Sequence, residues 1–168
     1  MPRIDQIDRR TDVVLLLFHH AESIRGVAKL QQLVFLVEQE ATMFDEYGDA
    51  FTFEFYPHET GPLSDYVFEE IRLLQELRAI ETVPANAQSS ITAAETPVGD
   101  VFRLTSKGEK IAAELARQLE HAYGEDLSTL VDEYNGMSLS ALFQYVCSAY
   151  PRFMRKAELE DDVLVKET

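Results

Sequence analysis

Five side chains in this 168-residue chain carry the donor atoms of a metal site: His19, His20, His58, His121 and Cys147. Such a site needs several of them to converge, usually with carboxylates. Adjacent helical positions point about 100° apart, so His19 and His20 do not easily address one ion, and no other pair has a recognised ligand spacing. Cys147 could act as a nucleophile beside a histidine. It continues an apolar helical stripe, however, where an inert buried thiol is expected. Glu69 and Glu70 are neighbouring acids that diverge on a helix and read as a solvated face. The chain has no phosphate-cradling GxxxxGK, no GxGxxG and no GxSxG nucleophile turn. The sequence therefore predicts a non-enzymatic protein with no catalytic residues, no metal and no cofactor.

Two other groupings could bind a partner. Phe55-Tyr56-Pro57-His58-Glu59-Thr60-Gly61-Pro62-Leu63-Ser64 places a Gly-Pro turn between an aromatic strand and a helix. Its plain role is a tight reversal, with the Ser64 hydroxyl accepting an orphan N–H as helix cap. Its functional reading is a partner-binding rim formed by Tyr56, His58 and Ser64 around Gly61 and Pro62. The other grouping is basic: Arg9 and Arg10 near one end, and Arg152, Arg155 and Lys156 near the other. If the termini converge, these five form one modest patch for nucleic acid.

The overall charge weighs against nucleic acid. Thirty acidic residues face fifteen basic ones, for a net charge of −15, whereas phosphate neutralisation supplies most non-specific affinity. Scattered acids and scarce lysine also resemble the style of salt-in halophilic archaea, in which molar salt shortens the Debye length to about 3 Å. One cysteine cannot form a disulfide within the chain. The longest apolar run, Val13 to Phe18, is six residues, far below the ~18 of a membrane span. The N-terminus has no apolar core ahead of a cleavage site, so no signal peptide, no membrane association and a cytoplasmic location are expected.

Hydrophobic spacing supplies the elements that must hold these groups. The apolar run predicts a buried helix over 9–20, with a turn at Ala21-Glu22-Ser23. Val27, Leu30, Val34 and Val37 predict a second helix over 27–40 that starts after Gly26. Phe51-Thr52-Phe53-Glu54-Phe55-Tyr56 alternates with period two and predicts a half-buried strand stopped by Pro57. Val67, Phe68, Ile71, Leu74 and Leu77 predict a helix from Ser64 to about Ala79. Short strands follow at 80–83 and 101–104, separated by an unpatterned tip, Pro84 to Asp100, expected to be mobile. Ser106-Lys107-Gly108-Glu109 fits a capping box for a helix reaching about Ala122. Two further stripes, Leu127 to Tyr134 and Leu139 to Tyr150, fit packing either within the chain or across a homodimer seam.

This order predicts a mainly α protein with a small β-hairpin, of α+β class. The whole chain, 1–168, is read as one domain: a winged-helix-like core at 9–122, a C-terminal helical extension at 125–156 and a frayed tail at 157–168. In the corresponding recognition helix, Asp65, Glu69, Glu70 and Glu76 outnumber Arg72 and Arg78, and the tip carries no base. Both elements that would approach phosphates are acidic.

Three segments carry a resemblance. Lys29-Leu30-Gln31-Gln32-Leu33-Val34-Phe35-Leu36 resembles the Lys-Leu-Gln-Lys-Leu-type helix of YwgA-like proteins and of Panacea (SocA-like) domains. Residues 55–64 resemble their aromatic, turn, Gly-Pro and Ser segment. Phe102-Arg103-Leu104-Thr105-Ser106-Lys107-Gly108 is similar to the Leu-Thr-x-Lys-Gly entry after the wing of many winged-helix proteins. The YwgA-like resemblance spans about residues 10–156, including Tyr134-Asn135 and Tyr150-Pro151; the Panacea resemblance covers mainly the first two segments. YwgA-like proteins bring no assigned activity, while Panacea domains are associated with toxin neutralisation and, in one branch, with delivery of a toxin to a protease. The resemblance implies a regulatory module working through protein–protein contact, antitoxin- or adaptor-like, without catalytic residues. The alternative is a winged-helix DNA-binding transcription regulator.

Overall fold

The run Val13–Phe18 is buried on every side, which makes its helix the centre of the molecule rather than a surface element. The computed structural model describes residues 10–42, 52–59, 61–84, 100–119 and 121–154. The central helix, α1 (Arg10–Ala21), is followed by a three-residue strand, β1 (Ser23–Arg25), and by α2 (Val27–Glu40). Gly26 turns the chain between them at φ 84, a left-handed value that a side chain would resist. The sequence reading has no strand here, because three residues are too few to display an alternation.

β1 completes an antiparallel sheet with β4 (Ile80–Val83) and β5 (Val101–Leu104), in the order β1-β5-β4. Ile24 pairs with Phe102, and Phe102 with Thr82. Ile24, Phe102 and Ile80 face the core, whereas Ser23, Arg103 and Glu81 line up across the outer face. Residues 85–99, most of the expected tip, lie outside the described residues, as do the turn at 45–50 and the tail at 157–168.

The expected strand at 51–56 is corrected. Residues 52–55 join no sheet, and Glu54 adopts φ 51, a left-handed conformation that breaks the pleat. The alternation does mark the inward rings: Phe53 is fully buried and Phe55 half-buried. The strand begins later. β2 (Tyr56–His58) pairs with β3 (Gly61–Leu63), and Pro57 sits opposite Pro62 inside this small hairpin instead of stopping it.

Four helices complete the fold: α3 (Asp65–Glu76), α4 (Ser106–Gln118), α5 (His121–Asn135) and α6 (Leu139–Ala149). α1 packs on α3, α4 and α5, while α2 packs on α5, α6 and β3. The helix expected to run to Ala122 ends at Gln118, and α5 starts at His121. The last two stripes pack inward. Leu127, Leu130, Val131, Tyr134, Leu142 and Val146 share one hydrophobic cluster with α1 and α2. Phe35 of α2 meets Phe55, Tyr150 and Phe153 edge-on, with ring centres 5.2, 5.2 and 4.8 Å away. These rings join the hairpin region, the end of α6 and a 3-10 turn at Pro151–Phe153 to the core.

Candidate functional site

The Gly-Pro segment is held from inside. Gln31 projects from α2 and makes a two-point contact with the Ser64 backbone: its Oε1 accepts from the Ser64 N–H and its Nε2 donates to the Ser64 carbonyl, both at 3.0 Å. The Ser64 hydroxyl donates to the Phe53 carbonyl. Ser64 does occupy the N-cap position of α3, but its side chain caps no helix N–H, because that hydroxyl is already committed to the 52–55 segment. Gly61 is buried at φ 99, with the Phe143 ring 3.7 Å from the place a Cβ would occupy. Pro62 is buried as well. Thus Gly61, Pro62 and Ser64 lie behind the surface, and Tyr56 reaches solvent with 39% of its area exposed. His58 is half-buried and bridges Met154 through the backbone.

The Gln31 contact gives a direct expectation. Gln31→Leu keeps similar bulk but leaves a buried N–H and a buried carbonyl unpaired. Each lost partner costs about 1–3 kcal/mol, so the variant should lose roughly 2–5 kcal/mol by urea melt. An unchanged midpoint would show that water replaces the amide.

Tyr56 leads onto α3. Its hydroxyl donates to Asp65 Oδ1 at 3.1 Å, and Phe68 stands three residues further along the helix. Val67, Ile71 and Leu74 turn inward, while Phe68, Leu73 and Leu77 are 39%, 40% and 47% exposed. Between them run Asp65, Glu69, Arg72 and Glu76, all exposed. The outer face of α3 therefore combines large apolar side chains with excess negative charge.

The terminal bases are not gathered by the described residues. Arg10 is occupied: its Nε donates to the Thr52 carbonyl at 2.6 Å, its guanidinium lies 3.6 Å over the Tyr66 ring, and Glu54 is 3.9 Å away. Arg152 lies over Phe153 at 5.1 Å and shares none of these partners. Arg9, Arg155 and Lys156 lie outside the described residues.

The histidines have separate surroundings. His19 and His20 meet edge-to-face at 5.0 Å. Burial, and then the adjacent His19, holds His20 below the usual imidazole range against the opposing pull of Asp132. His121 pairs with Glu125 at 2.9 Å on the surface. Cys147 Sγ is 3.5 Å from Met154 Sδ. Among the described residues no three His, Cys, Asp or Glu side chains are placed to hold a metal ion, and no helix is long and apolar enough to cross a membrane.

Two polar constellations escape a reading of the sequence. Glu40, the last residue of α2, accepts hydrogen bonds from the Tyr134, Tyr145 and Tyr150 hydroxyls at 2.6, 2.7 and 2.6 Å. On the outer face of the sheet, Arg25, Lys29 and Arg103 line one cleft with Asn135. Their members are distant in sequence, so only the β1–β5 register and the α2–α5 packing bring them together. No family model, curated protein or solved structure matches the chain.

Proposed function

We propose that this chain is a non-enzymatic regulatory module, of the YwgA-like and Panacea-like kind, that docks a protein partner in the cytoplasm through α3 and the adjoining hairpin. The observation that carries this reading is the outer face of α3, where Phe68, Leu73 and Leu77 stand exposed beside Asp65, Glu69 and Glu76. Exposed apolar groups framed by acids suit a partner with apolar and basic side chains. They suit a phosphate backbone poorly, since like charges oppose each other there. Tyr56 adds an aromatic contact with a polar tip, a common interface anchor.

A second reading has its own support. The element order α1-β1-α2-β2-β3-α3-β4-β5 and the sheet order β1-β5-β4 support a winged-helix reading in which α3 is the recognition helix and the β2–β3 hairpin is an insertion before it. That arrangement favours a DNA-binding transcription regulator. A gel-shift on genomic fragments, run beside capture from native extract, separates the two. A stoichiometric protein partner lost in the Tyr56→Ala/His58→Ala double variant is expected. A sequence-specific shift that survives physiological salt and needs no second protein would make the regulator reading primary.

A further inference from the structure

We propose that the cleft on the outer face of the sheet, between β1, β5, the first turn of α2 and the end of α5, binds a small phosphate-bearing ligand. The cleft encloses about 320 Å³ and is lined by Ser23, Arg25, Lys29, Arg103 and Asn135. Three cations meeting in one place need an explanation in a chain of net charge −15.

The positions are built by the fold. Ser23 pairs with Arg103 across β1 and β5, and Arg25 lies two residues further along β1, on the same face. Lys29 rises from the first turn of α2, and its ammonium donates to the main-chain carbonyl of Asn135 at 2.7 Å. The Asn135 amide in turn donates to the Ala21 and Ser23 carbonyls, at 3.2 and 3.1 Å. Asn135 is therefore a positioning residue that ties the end of α5 to β1 and aims Lys29.

Two of the three charges have no counter-ion among the described residues. Arg103 pairs with Glu81 at 2.8 Å, and among the described residues Arg25 and Lys29 form no ion pair. Burial, and then repulsion from Arg25, holds Lys29 below the usual lysine range. An anion between the two cations would relieve that repulsion. Among the described residues the Arg25 guanidinium has no hydrogen-bond partner, Lys29 keeps donors beyond Asn135, and Ser23 adds a hydroxyl. Several donors of different direction suit the multiple oxygens of a phosphate dianion better than a planar carboxylate. A small ligand fits better than a polyanion, because Glu81 flanks the cleft and the surrounding chain is strongly acidic.

Calorimetric titration of the full chain with inorganic phosphate, at fixed ionic strength against chloride, tests this. One saturable site is expected, weakened at least about tenfold by Arg25→Gln and by Lys29→Met. Lys29→Arg should retain binding, and Arg72→Gln on α3 should leave it unchanged. In the unsubstituted chain phosphate should also slow acetylation of Lys29, a readout that needs no variant to fold. Absence of a saturable site, equal affinity in the Arg25 and Lys29 variants, or no protection of Lys29 would overturn the proposal. So would duplex DNA that binds more tightly than phosphate and is lost in the same two variants, because the cleft would then be a nucleic-acid contact. None of these outcomes depends on what docks at α3.

Discussion

Gly108→Ala is expected to destabilise the protein by about 3–5 kcal/mol, although alanine is the better helix former by about 1 kcal/mol. An added Cβ at Gly108 would lie 1.9 Å from the Ala79 carbonyl oxygen and 2.8 Å from its carbon. Both are backbone atoms, so no rotamer change relieves the overlap. The neighbouring residues hold the same turn. The Thr105 hydroxyl accepts from the Gly108 N–H at 3.1 Å and donates to the Arg78 carbonyl at 2.6 Å. The Thr105 N–H reaches the Ala79 carbonyl at 2.9 Å, and Lys107 Nζ reaches the Leu77 carbonyl, also at 2.9 Å. Residues 104–108 thus clamp the end of α3, where Arg78 takes φ 60. Pushing the clamp apart should loosen α3 against β4. Gly124 is the control: a Cβ there meets nothing within 4 Å, so Gly124→Ala should be neutral or stabilising by up to about 1 kcal/mol. Urea melts of the pair decide the matter; similar midpoints for both variants would mean that residues 77–79 can shift freely.

Glu40→Leu should cost about 3–5 kcal/mol. Its carboxylate accepts three tyrosine hydroxyls, from α5, α6 and the residue after α6, and hydrogen bonds to a charged group contribute about 1.5–3 kcal/mol each without adding fully. A carboxylate at a helix C-terminus opposes the helix dipole by about 0.3–1 kcal/mol, so the three hydroxyls must more than offset that cost. Tyr134→Phe and Tyr150→Phe should each cost less, since two donors remain. The cluster also sets a pH dependence. Burial, and then the hydrogen bond to Glu40, pushes the Tyr134 and Tyr150 hydroxyls well above the usual tyrosine range. Groups raised in the folded state contribute stability that is complete below their ordinary pKa of about 10 and is lost as pH climbs above it. Tyrosinate absorbance should therefore show at least two of the seven tyrosines silent until the helical signal collapses at alkaline pH. Smooth ionisation of all seven near pH 10 with the helices intact would contradict the cluster.

These two sites show what local pattern reveals and what it misses. The run Val13–Phe18 and the stripes of α2, α3 and α5 predict their helices because 3.6-residue spacing reports burial directly. Capping was legible only to within a residue. Thr105 and Ser106 are adjacent hydroxyl residues; Thr105 takes the cap because its own N–H is tied to Ala79 as β5 ends, which leaves Ser106 inside α4. Ser138 caps α6, accepting from the Ala141 N–H. The strand expected at 51–56 failed on one backbone angle at Glu54, which residue type does not announce. Gln31 and Ser64 stand 33 residues apart in the chain, and neither residue type announces their direct contact. The tyrosines around Glu40 and the cations of the sheet cleft come from elements far apart in the chain. A search for neighbouring bases finds Arg9-Arg10 and Arg152 onward, and passes over Arg25, Lys29 and Arg103.

Whether α3 is a protein-docking face is tested most directly by photo-crosslinking. A benzophenone amino acid in place of Phe68, with a control in place of the exposed Lys110 on α4, would be irradiated in native extract. A discrete protein adduct is expected from position 68, absent from position 110 and weakened by Leu77→Asp. Adducts to nucleic acid from position 68, or the same adducts from both positions, would contradict it.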